Sequence, residues 1–380
     1  MANNHEDKYM KEIKLCSKCI LPETLPNISF NEQGVCNFCL NRQPSSVLGE
    51  TKLKEIVYSK KGEIYDCVVP ISGGKDSTYI LYYAVKILNL RAIAVNYDSG
   101  VQANLAMENI KNTCARLNVP LIVDKADYKT QAKMLKEMLL VSKSLGAFYG
   151  CCGNCGTNIK TAAINTAKKY KVPFILSGGT SSEQLRGVFV TSIRKTIRRA
   201  PKRTALGILL RFMKYFYLST RQRMQMKVPL RYRFRPRTHM HITNNETFPN
   251  KGTPGNETRF INIYDYMEWD PLKTVSILKE QIGWKHPSGR EGRFDCLVHC
   301  MGNHKWLQDC GISSDGMIYS SLVRLNRMTR EEAILREKKV KETVEKECLE
   351  IIEKLGLTGY RMPSIRRIDT QSRTRGSNQS

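Results

Sequence analysis

The sequence has no uninterrupted apolar run of about 18 residues, the length a membrane-spanning helix needs. Its first residues, MANNHEDKYMKEIK, contain no apolar signal core. Both absences predict a cytoplasmic protein. Acidic residues are scarce, 35 against 61 Lys and Arg, which leaves a net charge of +26. Such an excess predicts a polyanionic partner: nucleic acid, an anionic membrane face or a phosphorylated substrate. The scarcity is sharpest over residues 186–240, which hold 16 Lys and Arg and no Asp or Glu. The rest of the chain holds 45 basic and 35 acidic residues, a net +10. Internal repeats are also lacking. Cysteine is not scarce: there are 13. In a reducing compartment that number predicts metal ligation or thiol chemistry in place of disulfides.

A chain of 380 residues is long enough for two domains and a well-buried core. Between about Glu55 and Gly178, short β-branched runs alternate with helical periods. The pattern predicts strands at Cys67–Ile71, Ala92–Asn96, Leu121–Asp124 and Phe174–Leu176. Helices are predicted over 76–89, 102–117, 129–145 and 157–170. This alternation predicts an α/β fold, a doubly wound parallel sheet with helices on both faces. Ligands of such sheets bind at the carboxyl ends of the strands. We divide the chain into a four-cysteine zinc segment (1–45), an ATP-binding α/β domain (46–188), a basic insertion (189–258), a C-terminal helical region (259–362) and a disordered basic tail (363–380). Within the insertion, residues 241–258 read as a loop.

One such strand end carries ISGGKDS, residues 71–77. Gly73 and Gly74 leave the backbone bare, so successive N–H groups can form an anion nest. A helix starting near Asp76 or Ser77 adds its positive end. Lys75 supplies a point charge, and Ser72 and Ser77 supply hydroxyls. The bland alternative is an ordinary strand-to-helix turn with a solvated lysine. The spacing differs from the Walker G-x-x-x-x-G-K-[ST] pattern.

The string resembles the PP-loop of the ATP pyrophosphatases, the adenine nucleotide alpha-hydrolase-like enzymes. That resemblance implies a loop holding the β,γ-pyrophosphate of ATP, with Mg²⁺ sharing the charge, and cleavage between the α- and β-phosphates. A substrate oxygen is adenylated and a nucleophile then displaces AMP. It also places the end of the second strand, AVNYDSG, beside the adenosine, making Asn96, Asp98 and Ser99 nucleotide contacts. A plain Asp-Ser-Gly turn is the competing reading of that segment. After the last strand, Gly178 and Gly179 allow close backbone approach, and Glu183 is a candidate metal ligand.

Two C-x-x-C pairs precede this domain: Cys16 with Cys19, and Cys36 with Cys39. Four thiolates at this spacing can surround one tetrahedral Zn²⁺. So short a segment buries too little to fold alone, and the metal would supply its folding energy. The whole stretch CSKCILPETLPNISFNEQGVCNFC resembles the head of the N-acetyl sugar amidotransferase family of bacterial surface-polysaccharide pathways. Downstream, INIYDYMEWDP, QIGWKHPSGREGRF and MTREEAI fit the same family, whereas residues 186–258 do not. The resemblance implies conversion of an acetamido to an acetamidino group.

A second thiol group consists of Cys152 and Cys155 in GCCGNCG, joined by Cys296 or Cys300 in FDCLVHC. Thiols at a helix start are available as thiolates. This pattern is similar to that of PP-loop tRNA sulfurtransferases, which implies three ligands and one open iron of a 4Fe-4S cluster. A second zinc site or simple burial are the alternatives. Cys296 is preferred to Cys300 as the third ligand. Lys75, Asp76, Cys152 and Cys155 are the residues expected to carry chemistry. His299 and His304 are candidates for a ligand or a proton carrier, and ordinary core or surface histidines otherwise.

Within the basic stretch, Leu206, Leu209, Leu210, Met213, Phe216 and Tyr217 recur at helical spacing, with Arg211 and Lys214 off the stripe. Three readings stand: an interfacial helix on an anionic membrane, an RNA-tracking surface in which Tyr232 and Phe234 stack on bases, or a hairpin packed on the core. No RNA-binding fold signature accompanies the second.

The primary functional reading is ATP-dependent nitrogen transfer to a nucleotide- or lipid-linked amino sugar. Its ammonia would come from a separate glutaminase subunit. The alternatives are sulfur transfer, which makes a thioamide or a thiolated tRNA, and a non-catalytic zinc-, ATP- or RNA-binding module. The expected location is cytoplasmic, at the inner face of the membrane if the interfacial helix docks there.

Overall fold

The structure, a computed structural model, describes residues 13–41, 47–145, 151–179, 202–225, 247–249, 257–287 and 293–357. The four strands of the α/β region appear where their patterns place them, while the helix expected over 157–170 begins at Cys151 and takes in the cysteines of GCCGNCG. A short α1 (Asn37–Leu40) and α2 (Glu50–Tyr58) lead into β1 (Cys67–Pro70), α3 (Lys75–Tyr82) and β2 (Ala92–Asp98). A π-helical turn, Tyr83–Ile87, extends α3. There follow α4 (Asn104–Leu117), β3 (Leu121–Lys125), α5 (Tyr128–Leu145), α6 (Cys151–Lys169) and β4 (Phe174–Ser177).

The basic stretch contributes α7 (Lys202–Gln225). Two strands then return to the sheet, β5 (Thr247–Pro249) and β6 (Glu257–Asn262). Here the structure corrects the sequence reading, which took 241–258 as loop and helical patterning from 259 onward. The run ETRFIN is buried by alternation, but its polar start and loop-like surroundings hide the period. The remaining elements are α8 (Pro271–Ile282), α9 (His299–Cys310), α10 (Ser314–Arg324) and α11 (Arg330–Lys354).

The six strands lie in the order β3-β2-β1-β4-β6-β5. Five are parallel, and β5 alone runs antiparallel, against β6. Alternation along β1 explains the layers, because successive side chains point to opposite faces. Val68 joins Ile93, Ile175 and Phe260 under Ala162, Ala163 and Ala167 of α6. Cys67 and Val69 face the other way, into a core shared with α3, α4 and the N-terminal cysteine segment. The chain runs from β1 outward through β2 and β3, then returns to β4 on the other side. The carboxyl ends of β1 and β4 are therefore the switch point where such sheets bind ligands.

The C-terminal helices have clear boundary signals. Asp270 caps α8 by accepting from the Leu272 and Lys273 amides, and Gly283 ends it at φ 69°. Ser313 and Thr329 cap α10 and α11 in the same way. A second core joins α5, α7, α9 and α11 through Met134, Leu218, Leu307 and Val344. No helix among the described residues is long and apolar enough to cross a membrane.

Candidate nucleotide site and metal centre

The loop after β1 sits at the switch point. Gly73 takes φ +80°, and a Cβ there would lie 2.2 Å from the Ala106 carbonyl oxygen of α4, so the loop and α4 touch backbone to backbone. The loop is braced from within: the Ser77 hydroxyl accepts from the Ser72 amide at 3.0 Å and lies 3.1 Å from the Ser72 hydroxyl. Trp284 Nε1 donates to the Gly73 carbonyl at 2.9 Å, and Gln102 Nε2 donates to the Ser72 carbonyl at 3.2 Å. These partners take the loop's carbonyl groups. No side chain caps the N-terminus of α3, whose positive end opens on the same space.

Lys75 and Asp76 start α3 as an ion pair of 2.8 Å. Trp269 Nε1 also donates to Asp76, at 2.9 Å, and its ring lies 5.5 Å from the Lys75 ammonium. Asp295 approaches from the far end of the chain and accepts from the Ser72 hydroxyl at 2.8 Å. Burial opposes charge on Asp295, yet the Arg293 guanidinium and the Ser72 hydroxyl hold its carboxyl below the ordinary range. Lys75, Asp76, Trp284, Arg293 and Asp295 border a cavity of about 530 Å³, which Trp269 touches only through Asp76; the volume is within the size of small-molecule sites. Its other wall comes from α8 and α10, including Val275, Ile318 and Tyr319.

The structure brings Ser72, Gly74, Lys75, Asp76, Ser77 and Gly178 to this cavity. Gly178 has no room for a side chain: a Cβ would meet Ile80 at 2.4 Å. Asn96 has a structural contact, donating to the Ile71 carbonyl at 2.8 Å. Asp98 accepts from the Gly100 amide and the Tyr128 hydroxyl, and Ser99 is buried beside it. Glu183, Tyr232 and Phe234, and the side chain of Cys152, lie outside the described residues. His304 is buried in α9, where burial lowers its pKa, and it does not border the cavity. His299 lies 3.0 Å from Asp315, a buried carboxylate that does border it. Burial opposes charge on Asp315 too, but His299 and Asn303 hold it below the ordinary range.

Trp269, Trp284, Arg293 and Asp295 were not singled out from the sequence. The only available signal was their place in or beside the INIYDYMEWDP and QIGWKHPSGREGRF segments.

A two-stranded contact brings Cys296 toward the loop, although neither Cys296 nor Cys155 lines the cavity. Ala103 N donates to Asp295 O, and Leu297 N donates to Val101 O, so Cys296 bridges to Gln102. Nine of the eleven described cysteines are buried, and only Cys155 and Cys296 are partly exposed. Gln131 Nε2 lies 3.6 Å from Cys155 Sγ. Cys300, by contrast, is packed with Cys348 in the apolar core.

Cys16, Cys19, Cys36 and Cys39 converge as a buried metal-binding group, every sulfur within 4.8 Å of the others. Two separations are 3.9 Å (Cys16–Cys39) and 3.8 Å (Cys19–Cys36). Four thiolates about 2.3 Å from a tetrahedral zinc would lie about 3.8 Å apart, so the donor set fits that ion. The Cys19 and Cys36 amides point at Cys16 Sγ from 3.4 and 3.2 Å. Arg324, 9% exposed, donates to Cys19 Sγ at 3.8 Å and to the Ser321 hydroxyl at 2.7 Å. Among the described residues it has no carboxylate partner. A buried guanidinium requires negative charge, and four thiolates around a divalent ion carry a net −2. Arg330 completes the clamp by donating to the Cys16 and Cys19 carbonyls at 3.3 and 3.1 Å.

No family model matches the chain. An uncharacterized protein of Methanocaldococcus jannaschii is 27% identical over 161 residues, which is 37% of this chain. The chain spans 58% of that protein's length. Among solved structures, the U34-tRNA thiolase NcsA from Methanococcus maripaludis with its 4Fe-4S cluster is 13% identical, with a TM-score of 0.32. That match covers 90% of this chain and 89% of the thiolase. It is too distant to carry residue roles across.

Proposed function

We propose that the chain is an ATP-dependent transferase that forms AMP and pyrophosphate. The observation that carries this reading is the Ser72–Ser77 loop at the switch point, open on a cavity walled by Trp284, Arg293 and Asp295. The loop amides, the start of α3 and Lys75 hold the β,γ-pyrophosphate and meet its charge as it leaves. Asp76 and Asp295 are the carboxylates placed to share Mg²⁺. A substrate carbonyl or amide oxygen attacks the α-phosphorus and pyrophosphate departs. The adenylate makes that oxygen a leaving group, and the incoming nucleophile expels AMP. The N-terminal cysteines hold zinc as a structural ion.

Sulfur is the incoming atom that the thiol placement favours. Cys296 follows the carboxylate that touches the loop, and Cys155 is the other partly exposed thiol. With Cys152 they supply three soft ligands, the donor set for a 4Fe-4S cluster with one open iron. When bound, such a cluster would carry the sulfur. Burial of Cys300 beside Cys348 leaves Cys296 as the third ligand.

A specific observation favours nitrogen transfer as the second reading. All three downstream segments that carry the amidotransferase resemblance line the cavity, through Pro271, Trp284 and Met328. In that case the acceptor is a nucleotide- or lipid-linked N-acetyl sugar, and ammonia comes from a separate glutaminase.

Two measurements test these readings. Titration calorimetry should show Mg-ATP binding that Lys75→Ala weakens at least about tenfold, with an unchanged circular dichroism spectrum. Equal affinity in the variant removes the pyrophosphate role of the loop. Metal analysis of anaerobically prepared protein should then find one zinc and about four irons per chain. Zinc alone, in a colourless protein, transfers the proposal to nitrogen.

A further inference from the structure

Helix α7 turns its most apolar face to solvent. Leu206, Leu209, Leu210, Met213 and Tyr217 are 57, 53, 57, 58 and 63% exposed. Their three- and four-residue spacing sets them in one stripe. The opposite face, with Tyr215, Leu218 and Gln222, is buried against α5. Arg211 and Lys214 pair with Glu137 of α5 at 3.2 and 2.6 Å. Tyr215 and Leu218 seat α7 in the second core, with the two ion pairs beside them, and a second, aliphatic stripe is left to meet something else.

The charge of the helix indicates what that is. Over 202–225 the sequence holds six basic residues, Lys202, Arg203, Arg211, Lys214, Arg221 and Arg223, and no acidic one. We infer that α7 is an interfacial helix that docks the protein on an anionic lipid surface. Its Arg and Lys residues supply attraction to acidic headgroups, and the stripe enters the acyl boundary. The aliphatic side chains choose lipid over RNA: bases stack on aromatic planes, and Leu206, Leu209, Leu210 and Met213 offer none. The docked face is also fixed relative to the strand ends. Gln222 donates to Gln131 at 2.7 Å and to the Tyr97 hydroxyl at 3.0 Å, and Gln131 reaches Cys155.

Flotation of the full chain with phosphatidylcholine vesicles, with and without about 30% phosphatidylserine, tests the inference. The chain should float with the acidic vesicles, weakly with the neutral ones, and less as salt rises. Leu209→Glu with Met213→Glu should lower the partition coefficient at least about tenfold, with helix content and Tm unchanged, because both side chains are exposed. Tyr217→Trp should report entry into the interface as a blue shift on acidic vesicles. Three results overturn the inference: the double variant floats like the parent; the parent does not distinguish the two vesicle types; or no flotation occurs while the stripe instead seats a second copy or an RNA oligonucleotide.

Discussion

The two thiol groups of this chain are built in opposite ways. Cys16, Cys19, Cys36 and Cys39 come from one short segment, are buried, and stand at the spacing of a single tetrahedral ion. Cys155 and Cys296 come from places 141 residues apart in the chain and are partly exposed; Cys296 bridges to Gln102, which reaches the Ser72 carbonyl, and Cys155 lies beside Gln131. The first group is enclosed by Arg324 and Arg330, which face inward from the C-terminal helices. The second has Gln131 beside Cys155 and Gln102 beside Cys296. A closed set of thiolates serves the fold, whereas reactive thiols sit in accessible, polar surroundings.

Removing one ligand of the closed group should have the largest effect. Structural zinc contributes on the order of 10 kcal/mol, so Cys36→Ser should release the ion and unfold the 13–41 segment. Native mass spectrometry and thermal melts read both losses. Survival of a metal-loaded fold would break the comparison on its structural side. Arg324→Met should come next. It strips the buried counter-charge from the thiolates at a cost of about 3 kcal/mol, and a chelator should remove zinc faster than from the parent. Unchanged chelation kinetics would mean that Arg324 packs beside the centre without balancing its charge. Cys296→Ser should cost least in stability, within about 0.5 kcal/mol, and leave the zinc in place while group transfer is lost. If it costs as much as Cys36→Ser, the two groups do not differ in kind.

Local signals carried much of this fold. β1 to β4 announce themselves as short β-branched runs, and the Gly73-Gly74 loop reads directly from its string. The four N-terminal cysteines are legible because their whole site lies within 24 residues. The rest depends on tertiary contact. The strand Glu257–Asn262 follows a segment without a clear period, and only its pairing with β4 gives it away. Asp295 is an acidic residue among many until the 101–103 and 295–297 segments pair. Asn96, expected to meet nucleotide, donates its amide N–H to the Ile71 carbonyl, a contact the sequence could not show. The exposed stripe of α7 was visible as a period, but sequence could not say which face would be buried. That outcome depends on α5, which offers Met134 and Leu135 to Leu218 in the core and Glu137 to Arg211 and Lys214.

The contact between Ser72 and Asp295 also sets an order of events during synthesis. The loop leaves the ribosome more than two hundred residues before the carboxylate that steadies it. Domains fold as their sequence emerges, and contacts of long range close last. The first half of the chain can therefore form most of the sheet while the Ser72–Ser77 loop stays without its brace. A fragment ending before Asp295 would have the motif without its brace, and the chain completes its cradle only once translation is nearly over.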